Sequence, residues 1–275
     1  MTEIINVVKA NGKTEVFDKE KLQNSLLHAG ATRELVEEIT SHIAEELKDG
    51  MSTSQIYKHA FFLLDKKHKK AARRYVLRRA IMELGPAGFA FEDYIAAILK
   101  EKGYETLTGQ MALGKCVEHE IDVVAWNENK LIMVEAKFHN EQGTKTDLKV
   151  ALYVKARIDD LKENTFLYGK ERSLDEGWLI TNTKFTETAI HYGECNNLVM
   201  IGWNYPEKGN LQDMIQDGEL HPITCLQSLS HGQKNDLLSR EIVLCKTLKT
   251  DPALLNSFQM SKDQISEVMT EIDML

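Results

Sequence analysis

The stretch IDVVAWNENKLIMVEAKFHN, residues 121–140, constrains the fold of this chain more than any other. Residues 121–126 and 131–136 are rich in β-branched and apolar residues, and the NENK between them is typical of a turn. A tight hairpin closed by this turn places Trp126 opposite Leu131, and the same register places Asp122 opposite Glu135. We therefore expect two antiparallel strands with two carboxylates facing each other.

Both faces of this hairpin are largely apolar, which is typical of a covered sheet in an α/β protein. Opposed like charges destabilise a hairpin, and burying them is costly unless something compensates. A bound cation would compensate, and carboxylate oxygens are ligands that suit Mg²⁺. Lys137 follows Glu135 on the same face, where it could position an attacking water or balance phosphate charge. The alternative is a strand end at which both side chains only face solvent.

Composition indicates an ordinary globular protein. The chain has 275 residues, enough for two domains, with 43% hydrophobic and 28% charged residues. Its net charge of −8 argues against a general nucleic-acid binder. It shows neither the apolar run of a membrane span nor the apolar block of a signal peptide, so we expect a cytoplasmic location. The four cysteines form no CxxC pair, and we expect buried reduced thiols at Cys116, Cys195, Cys225 and Cys245.

One segment departs from the acidic balance. Residues 66–79, KKHKKAARRYVLRR, hold eight lysines and arginines and no acid. One interpretation is the solvated face of a helix whose apolar stripe is buried, and the other is a phosphate-binding surface for a nucleotide or a nucleic-acid backbone.

The chain divides into three parts by pattern. The first, residues 1–85, has a small N-terminal hairpin and helical patterns at 18–29, 33–48 and 53–84, with a possible break in the last. LGPAGF, residues 84–89, marks a boundary. Residues 86–205 alternate helices at 89–102, 145–163 and 186–194 with strands at 121–136, 178–182 and 198–203, which predicts an α/β fold with a mixed sheet. Residues 206–275 form a helical extension.

The middle part resembles the Mrr-like restriction endonucleases of the PD-(D/E)xK superfamily. The likeness runs from GFAFEDYIAAILKEKGY (88–104) through EIDVVA and VEAKF to ITNTKFTETAIHYGE. One departure is GKCVEHEID (114–122), where many relatives have a glycine-rich stretch; His119 and Glu120 could alter DNA approach or contribute to the site. The matching positions are Gly88, Phe91, Glu92, Gly103, Tyr104, Ile121, Asp122, Glu135, Lys137, Phe185 and Thr186.

This resemblance implies a restriction-endonuclease-like mixed β-sheet flanked by helices, and hydrolysis of DNA phosphodiester bonds with Mg²⁺, for which Mn²⁺ could substitute. By the family pattern, Asp122 and Glu135 would ligate the metal, Lys137 would orient the water nucleophile, and Glu92 would support the site from the first helix. A metal beside a lysine can neutralise the phosphodiester, generate the nucleophile and stabilise the leaving oxygen.

The first part resembles the ATP-cone, a mostly helical nucleotide-sensing domain. The likeness lies in VVKANGKTEVFDKEKL (7–22), MSTSQIYKHAFFLL and RRYVLRRAI. The expected Lys-Arg pair is Lys9-Ala10 here, so one phosphate contact is missing, and Lys13 is a replacement candidate. The resemblance implies ATP or dATP as a regulatory ligand, bound by Val7, Lys9, Gly12, Lys13, Phe17, Lys21 and Thr53.

Together the resemblances imply a bacterial or archaeal DNA endonuclease, acting as a homodimer or higher homo-oligomer, whose ATP-cone tunes activity or assembly. Two alternatives stay open from the sequence. One is a nucleotide-responsive DNA-binding regulator that has the nuclease fold and does not cut. The other is a structure-specific nuclease that acts on junctions or repair intermediates.

Overall fold

A computed structural model describes residues 5–8, 14–85, 89–141 and 143–275, except the side chains of His28, Ser54, Lys70 and Arg73. The predicted turn at residues 11–12 lies outside these ranges. The chain forms two compact units, Met1–Arg79 and Ala80–Leu275.

The first unit is a small sheet with helices. Its strands are β1 (Asn6–Val8), β2 (Thr14–Val16) and β3 (Met51–Ser52), in the order β2-β1-β3. Its helices are α1 (Lys19–His28), α2 (Arg33–Glu46), α3 (Thr53–Lys67) and α4 (Lys69–Met82), the last of which ends in the second unit. The predicted break in the third helical pattern falls at His68.

Side-chain caps fix where these helices begin. Asp18 accepts the Lys21 backbone N–H at 3.1 Å, as expected of an N-cap. Ser52 forms a capping box with Gln55 at the start of α3. The capped helices pack around a core that includes Leu26, Ile39, Ile43, Ala60, Leu64, Ala71, Ala72 and Tyr75.

The basic segment predicted as a helix is therefore in part a core element. Ala71 and Ala72 on α4 are almost fully buried, and the Tyr75 ring stacks on Tyr57 with ring centroids 4.8 Å apart. This confirms the apolar stripe. The phosphate-binding interpretation of the basic side chains stays a prediction.

The second unit begins with α5 (Phe89–Glu101), β4 (Glu105–Leu113), β5 (Glu118–Trp126), β6 (Leu131–Lys137), β7 (Lys145–Thr146) and α6 (Leu148–Leu161). It continues with β8 (Thr165–Tyr168), β9 (Lys170–Ser173), β10 (Glu176–Thr181), β11 (Lys184–Phe185), α7 (Glu187–Cys195) and β12 (Val199–Ile201). The predicted α/β class and mixed sheet are confirmed. Strand β4 and the β8–β9 hairpin were not predicted.

The central sheet has the order β12-β10-β6-β5-β4, with β4, β5 and β6 antiparallel and β6, β10 and β12 parallel. Trp126 pairs with Leu131, so the register of the β5–β6 hairpin is the predicted one. The turn holds its shape because the Asn127 side chain accepts the backbone N–H groups of Asn129 and Lys130 at 2.9 and 3.0 Å.

Helices cover both faces of this sheet. Val124, Met133 and Leu179 share one face and join a core cluster with residues of α6 and α7. Helix α5 packs against β4, β5 and β6, and the neighbouring Val123 and Val134 are also almost fully buried. The prediction of a doubly covered sheet is confirmed.

The C-terminal residues form a helical layer on α5. It comprises α8 (Leu211–Asp217), α9 (His231–Ser239), α10 (Cys245–Thr250) and α11 (Lys262–Met274), with 3-10 helices at Ile223–Cys225 and Pro252–Phe258. The layer has its own apolar cluster, which includes Leu237 and Leu248. The buried Tyr94 hydroxyl of α5 donates to the Leu220 carbonyl at 2.8 Å, which ties the layer to α5.

All four cysteines are free thiols, but Cys116 and Cys195 are exposed, so the expectation of burial holds only for Cys225 and Cys245. Among the described residues, no helix combines the length and apolar character needed to cross a membrane.

Gly177 of β10 is where α6 approaches the sheet most closely. A Cβ at this position would lie 2.5 Å from Cγ1 and 2.7 Å from Cγ2 of Ile158, whose side chain is buried. We expect Gly177→Ala to lower the free energy of unfolding of the second unit by about 1–3 kcal/mol, because an overpacked core forces shifts in backbone or rotamer.

Urea unfolding followed by tryptophan fluorescence measures this effect, because Trp126, Trp178 and Trp203 all lie in the second unit. Gly232→Ala on α9 is the control, since a Cβ there meets nothing within 4 Å. Equal stability of the two variants would contradict the packing account.

Candidate active site on strands β5 and β6

Asp122 lies on β5 beside a local distortion of β4. The β4–β5 ladder pairs Thr108 with Val123 and Gln110 with Ile121 and omits the position between them, Gly109 and Asp122. Gly109 has a φ of +59°, a backbone conformation that favours glycine. The Asp122 Oδ2 accepts the Ala136 backbone N–H at 2.7 Å, which anchors its carboxylate to β6.

Glu135 lies on β6 next to Asp122. The β5–β6 ladder pairs Val123 with Val134, and the following position of each strand is Asp122 and Glu135. The two carboxylates are close enough for the charge of Glu135 to raise the pKa of Asp122. The structure therefore brings together the two residues predicted to face each other.

Two side chains of α6, which were not predicted from the sequence, hold the Glu135 carboxylate. The Tyr153 hydroxyl donates to Oε1, and Arg157 Nη1 donates to Oε2 at 2.5 Å. Arg157 also donates to the Glu120 carbonyl at 3.1 Å. Tyr153 and Arg157 are four residues apart and so share one helix face. The four-residue spacing is visible in the sequence. That both side chains contact Glu135 follows only from the crossover from β6 through α6 to β10, which packs α6 on the sheet.

Glu92, in the first turn of α5, adds a third carboxylate. Burial raises its pKa to about 7, with further contributions from the charges of Asp122, Asp93, Glu120 and Glu135. Burial and the Glu135 charge likewise raise the pKa of Asp122 to about 6, opposed by the Ala136 N–H and by Arg157. The cluster therefore holds more negative charge than its basic neighbours balance.

Lys137 ends β6, two residues beyond Glu135, and pairs with Thr181 of β10. Its ammonium has no hydrogen-bond or ion-pair partner within the part of the chain that the structure describes. The backbone just after it is held firmly, because the Asn182 side chain accepts the His139 N–H at 2.8 Å and donates to the His139 carbonyl at 2.9 Å. Lys137 thus extends from a fixed strand end.

The residues present fit a hard divalent cation. The predicted ligands Asp122 and Glu135 supply only carboxylate oxygens, the donor type of Mg²⁺ and Mn²⁺ sites. Tyr153 and Arg157 each engage a Glu135 oxygen, but a carboxylate oxygen has a further lone pair with which to bind a metal. A cation would also relieve the mutual repulsion that raises the pKa of Asp122.

His119 takes part in a hydrogen-bonded contact that supports the fold. Its Nε2 lies 2.8 Å from Asp160 Oδ2, and the same carboxylate accepts the backbone N–H groups of Cys116 and Val117 at 2.8 and 3.3 Å. Asp160 thus ties α6 to the β4–β5 turn, and His119 belongs to that tie.

The predicted nucleotide residues are only partly described. Lys9, Gly12 and Lys13 lie outside the described ranges. Val7 is 3% exposed in the core of the first unit, so its side chain supports the fold. Phe17 packs against that core, Thr53 is the first residue of α3, and the Lys21 side chain is 69% exposed, near Glu15 and Asp18.

Three family models match successive parts of the chain. Residues 5–83 match the ATP cone domain, residues 86–204 the restriction endonuclease model, and residues 221–275 the AF1548-like C-terminal model. An uncharacterized protein of Archaeoglobus fulgidus is 34% identical over 178 residues, which cover 64% of this chain and 97% of the relative. The crystal structure of the protein of unknown function AF1548 superposes with a TM-score of 0.55 and 33% identity, covering 67% of this chain and 96% of that one.

The fold and the matched models define an ATP-cone domain followed by an Mrr-type restriction endonuclease domain. More narrowly, the chain belongs to the AF1548-like family. The resemblances seen in the sequence are thereby confirmed.

Substitution of Arg157 tests how the negative charge of the carboxylate cluster is balanced. The Glu135 side chain is only 13% exposed, so Arg157→Ala leaves a half-buried carboxylate cluster without its nearest cation. We expect a loss of about 2–3 kcal/mol in the free energy of unfolding, below the roughly 3–5 kcal/mol for breaking a fully buried pair, because Arg157 itself is 25% exposed. Millimolar Mg²⁺ or Mn²⁺ should restore more stability to this variant than to the parent.

Lys155→Ala is the matched control, since Lys155 lies on the same helix and pairs with the exposed Asp159 at i,i+4. Its loss should be about 0.3–0.5 kcal/mol. Urea unfolding by tryptophan fluorescence measures both. An Arg157→Ala variant no less stable than the control would show that Glu135 does not depend on Arg157.

Proposed function

We propose that the protein is a Mg²⁺-dependent DNA endonuclease whose activity responds to ATP or dATP bound by its ATP-cone. One observation carries the proposal. Asp122 and Glu135 lie side by side on two covered strands, with Lys137 two residues beyond Glu135 on the same strand. Two like charges opposite each other in a largely buried setting are unfavourable for folding. A reaction that depends on a bound cation would explain why the chain has them.

Each residue has a role that its position supports. Asp122 and Glu135 would hold the metal, which when bound neutralises phosphate charge and supplies an activated water. Arg157 and Tyr153 orient the Glu135 carboxylate. The Lys137 ammonium is placed to bind the attacking water or a phosphate oxygen.

Glu92 acts at the edge of this cluster. Its pKa of about 7 leaves it partly protonated near neutral pH, so it can donate or accept a proton at little cost. It is therefore suited to a supporting role near the metal ligands.

Cleavage assays test the site. We expect Glu135→Ala and Lys137→Ala to lower the rate of cleavage of plasmid and linear DNA by about 10²-fold or more with Mg²⁺ or Mn²⁺, because each removes a group that stabilises the reacting centre. Glu128→Ala, an exposed position in the turn of the same hairpin, is the control and should cut like the parent.

If Glu135→Ala and Lys137→Ala both cut DNA as fast as the parent, the assignment of these residues to the active site is wrong. If the parent itself cuts neither plain, methylated nor branched duplexes with either metal but still binds DNA, the protein is a non-cleaving regulator.

The ATP-cone assignment generates a separate expectation. Lys21 is exposed at the start of α1 and stands at a family nucleotide position. If it contacts a phosphate, Lys21→Ala should weaken ATP and dATP binding by roughly tenfold, the value of one charge-assisted hydrogen bond. Isothermal titration calorimetry measures this, with Lys48→Ala on the same unit as the control.

The same titrations carried out during DNA cleavage show whether nucleotide alters the rate, and light scattering shows whether it alters the homo-oligomer that we expect. Nucleotide binding unaffected by Lys21→Ala would show that Lys21 contacts no phosphate, and nucleotide binding absent from the parent would contradict the proposed regulatory role.

A further inference from the structure

A cluster of two histidines and a glutamate joins two helices of the first unit. His42 and Glu46 lie on α2, four residues apart and therefore on one helix face, and His59 lies on α3. Among the described residues, this is the one group of three histidine, cysteine or carboxylate side chains whose candidate ligand atoms all lie within 4.8 Å of one another. It is separate from every residue assigned above to DNA or nucleotide.

Each histidine of the cluster lies beyond the distance of a closed hydrogen bond from the Glu46 carboxylate. His42 Nε2 lies 3.4 Å from Glu46 Oε1, and His59 Nδ1 lies 3.4 Å from Glu46 Oε2. Charge-assisted hydrogen bonds between such groups are about 2.7–2.9 Å long. Donor atoms bound at about 2.0–2.1 Å to a tetrahedral zinc are roughly 3.3–3.5 Å apart. Both separations fall in that interval, and they run to the two different oxygens of the Glu46 carboxylate, one for each histidine.

The two imidazole rings of the cluster are steeply inclined to each other. Their centroids are 5.2 Å apart, and the ring planes cross at 77°, so the rings meet edge to face without stacking. A ring-nitrogen ligand of a metal points along the plane of its ring, and steeply inclined rings can direct their nitrogens to one point without clashing.

The helices that carry these side chains are fixed relative to each other. Ile39 and Ile43 of α2 and Ile56 and Ala60 of α3 are between 0% and 6% exposed in one core cluster. His42 directly precedes Ile43, and His59 directly precedes Ala60, so packing holds both histidine backbones in place. The side chains themselves are accessible, with 45%, 55% and 31% exposure for His42, Glu46 and His59. An ion can therefore enter from solvent without opening the core.

We propose that His42, Glu46 and His59 form a binding site for a borderline divalent metal of the Zn²⁺ class. Two imidazole nitrogens and one carboxylate select Zn²⁺, Ni²⁺ or Cu²⁺ over Mg²⁺, which prefers oxygen ligands. The three protein ligands leave a further coordination position for water or another small ligand. The bound metal joins α2 to α3 and so stabilises the first unit. This site does not depend on the proposed nuclease function, whose ligands Asp122 and Glu135 are oxygen-only and lie in the other unit.

Zn²⁺ titration of the full chain tests the site. The Glu135→Ala variant serves as parent, so that the nuclease carboxylates do not bind the added metal. We expect one equivalent of Zn²⁺ by calorimetry, with affinity at least about tenfold weaker in His42→Gln and in His59→Gln, since each loses one of three ligands. Circular dichroism verifies that each variant is folded.

Two controls separate this site from general surface binding. Glu45→Gln changes an exposed carboxylate next to Glu46 on α2, and His191→Gln changes an exposed histidine on α7. Both should bind Zn²⁺ as the parent does. A parent that binds no Zn²⁺, or histidine variants that bind it as tightly as the controls, would overturn the proposal.

A second measurement needs no variant. In the Cu²⁺-loaded parent, pulsed electron paramagnetic resonance should detect two coordinated imidazoles on one ion. A spectrum with a single imidazole or with none would overturn the proposal on its own.

Discussion

The repulsion between Asp122 and Glu135 is the constraint around which the second unit is arranged. Period-two alternation along β5 and β6 places both carboxylates on the face that α6 covers, and the hairpin register sets them side by side. The Ala136 N–H and Arg157 offset part of the repulsion, yet burial and the Glu135 charge raise the pKa of Asp122 to about 6. The fold thus maintains an excess of negative charge that the proposed cation would offset.

Much of this arrangement follows from local rules that a sequence shows directly. The Trp126–Leu131 register follows from a four-residue turn with Asn127 at its start, and the helix starts at Asp18 and Ser52 follow from capping chemistry. Strand β4 escaped prediction because its outward positions carry Leu107 and Met111 in place of polar residues, and Gly109 interrupts it.

Other features depend on contacts distant in sequence. In the sequence, Tyr153 and Arg157 look like ordinary polar positions of an amphipathic helix. Only the packing of α6 on the sheet brings them into contact with Glu135. His59 similarly meets His42 and Glu46 only because α2 and α3 share a core. Periodicity predicts each element, but pairwise side-chain contacts require the tertiary fold.

The measurement that most directly tests the central claim is anomalous diffraction from crystals grown with Mn²⁺. The account predicts a manganese peak within coordination distance of one carboxylate oxygen each of Asp122 and Glu135, with Arg157 still bound to Glu135, and no such peak in Asp122→Asn crystals. Equivalent crystals of the parent with no manganese between the two carboxylates would contradict it.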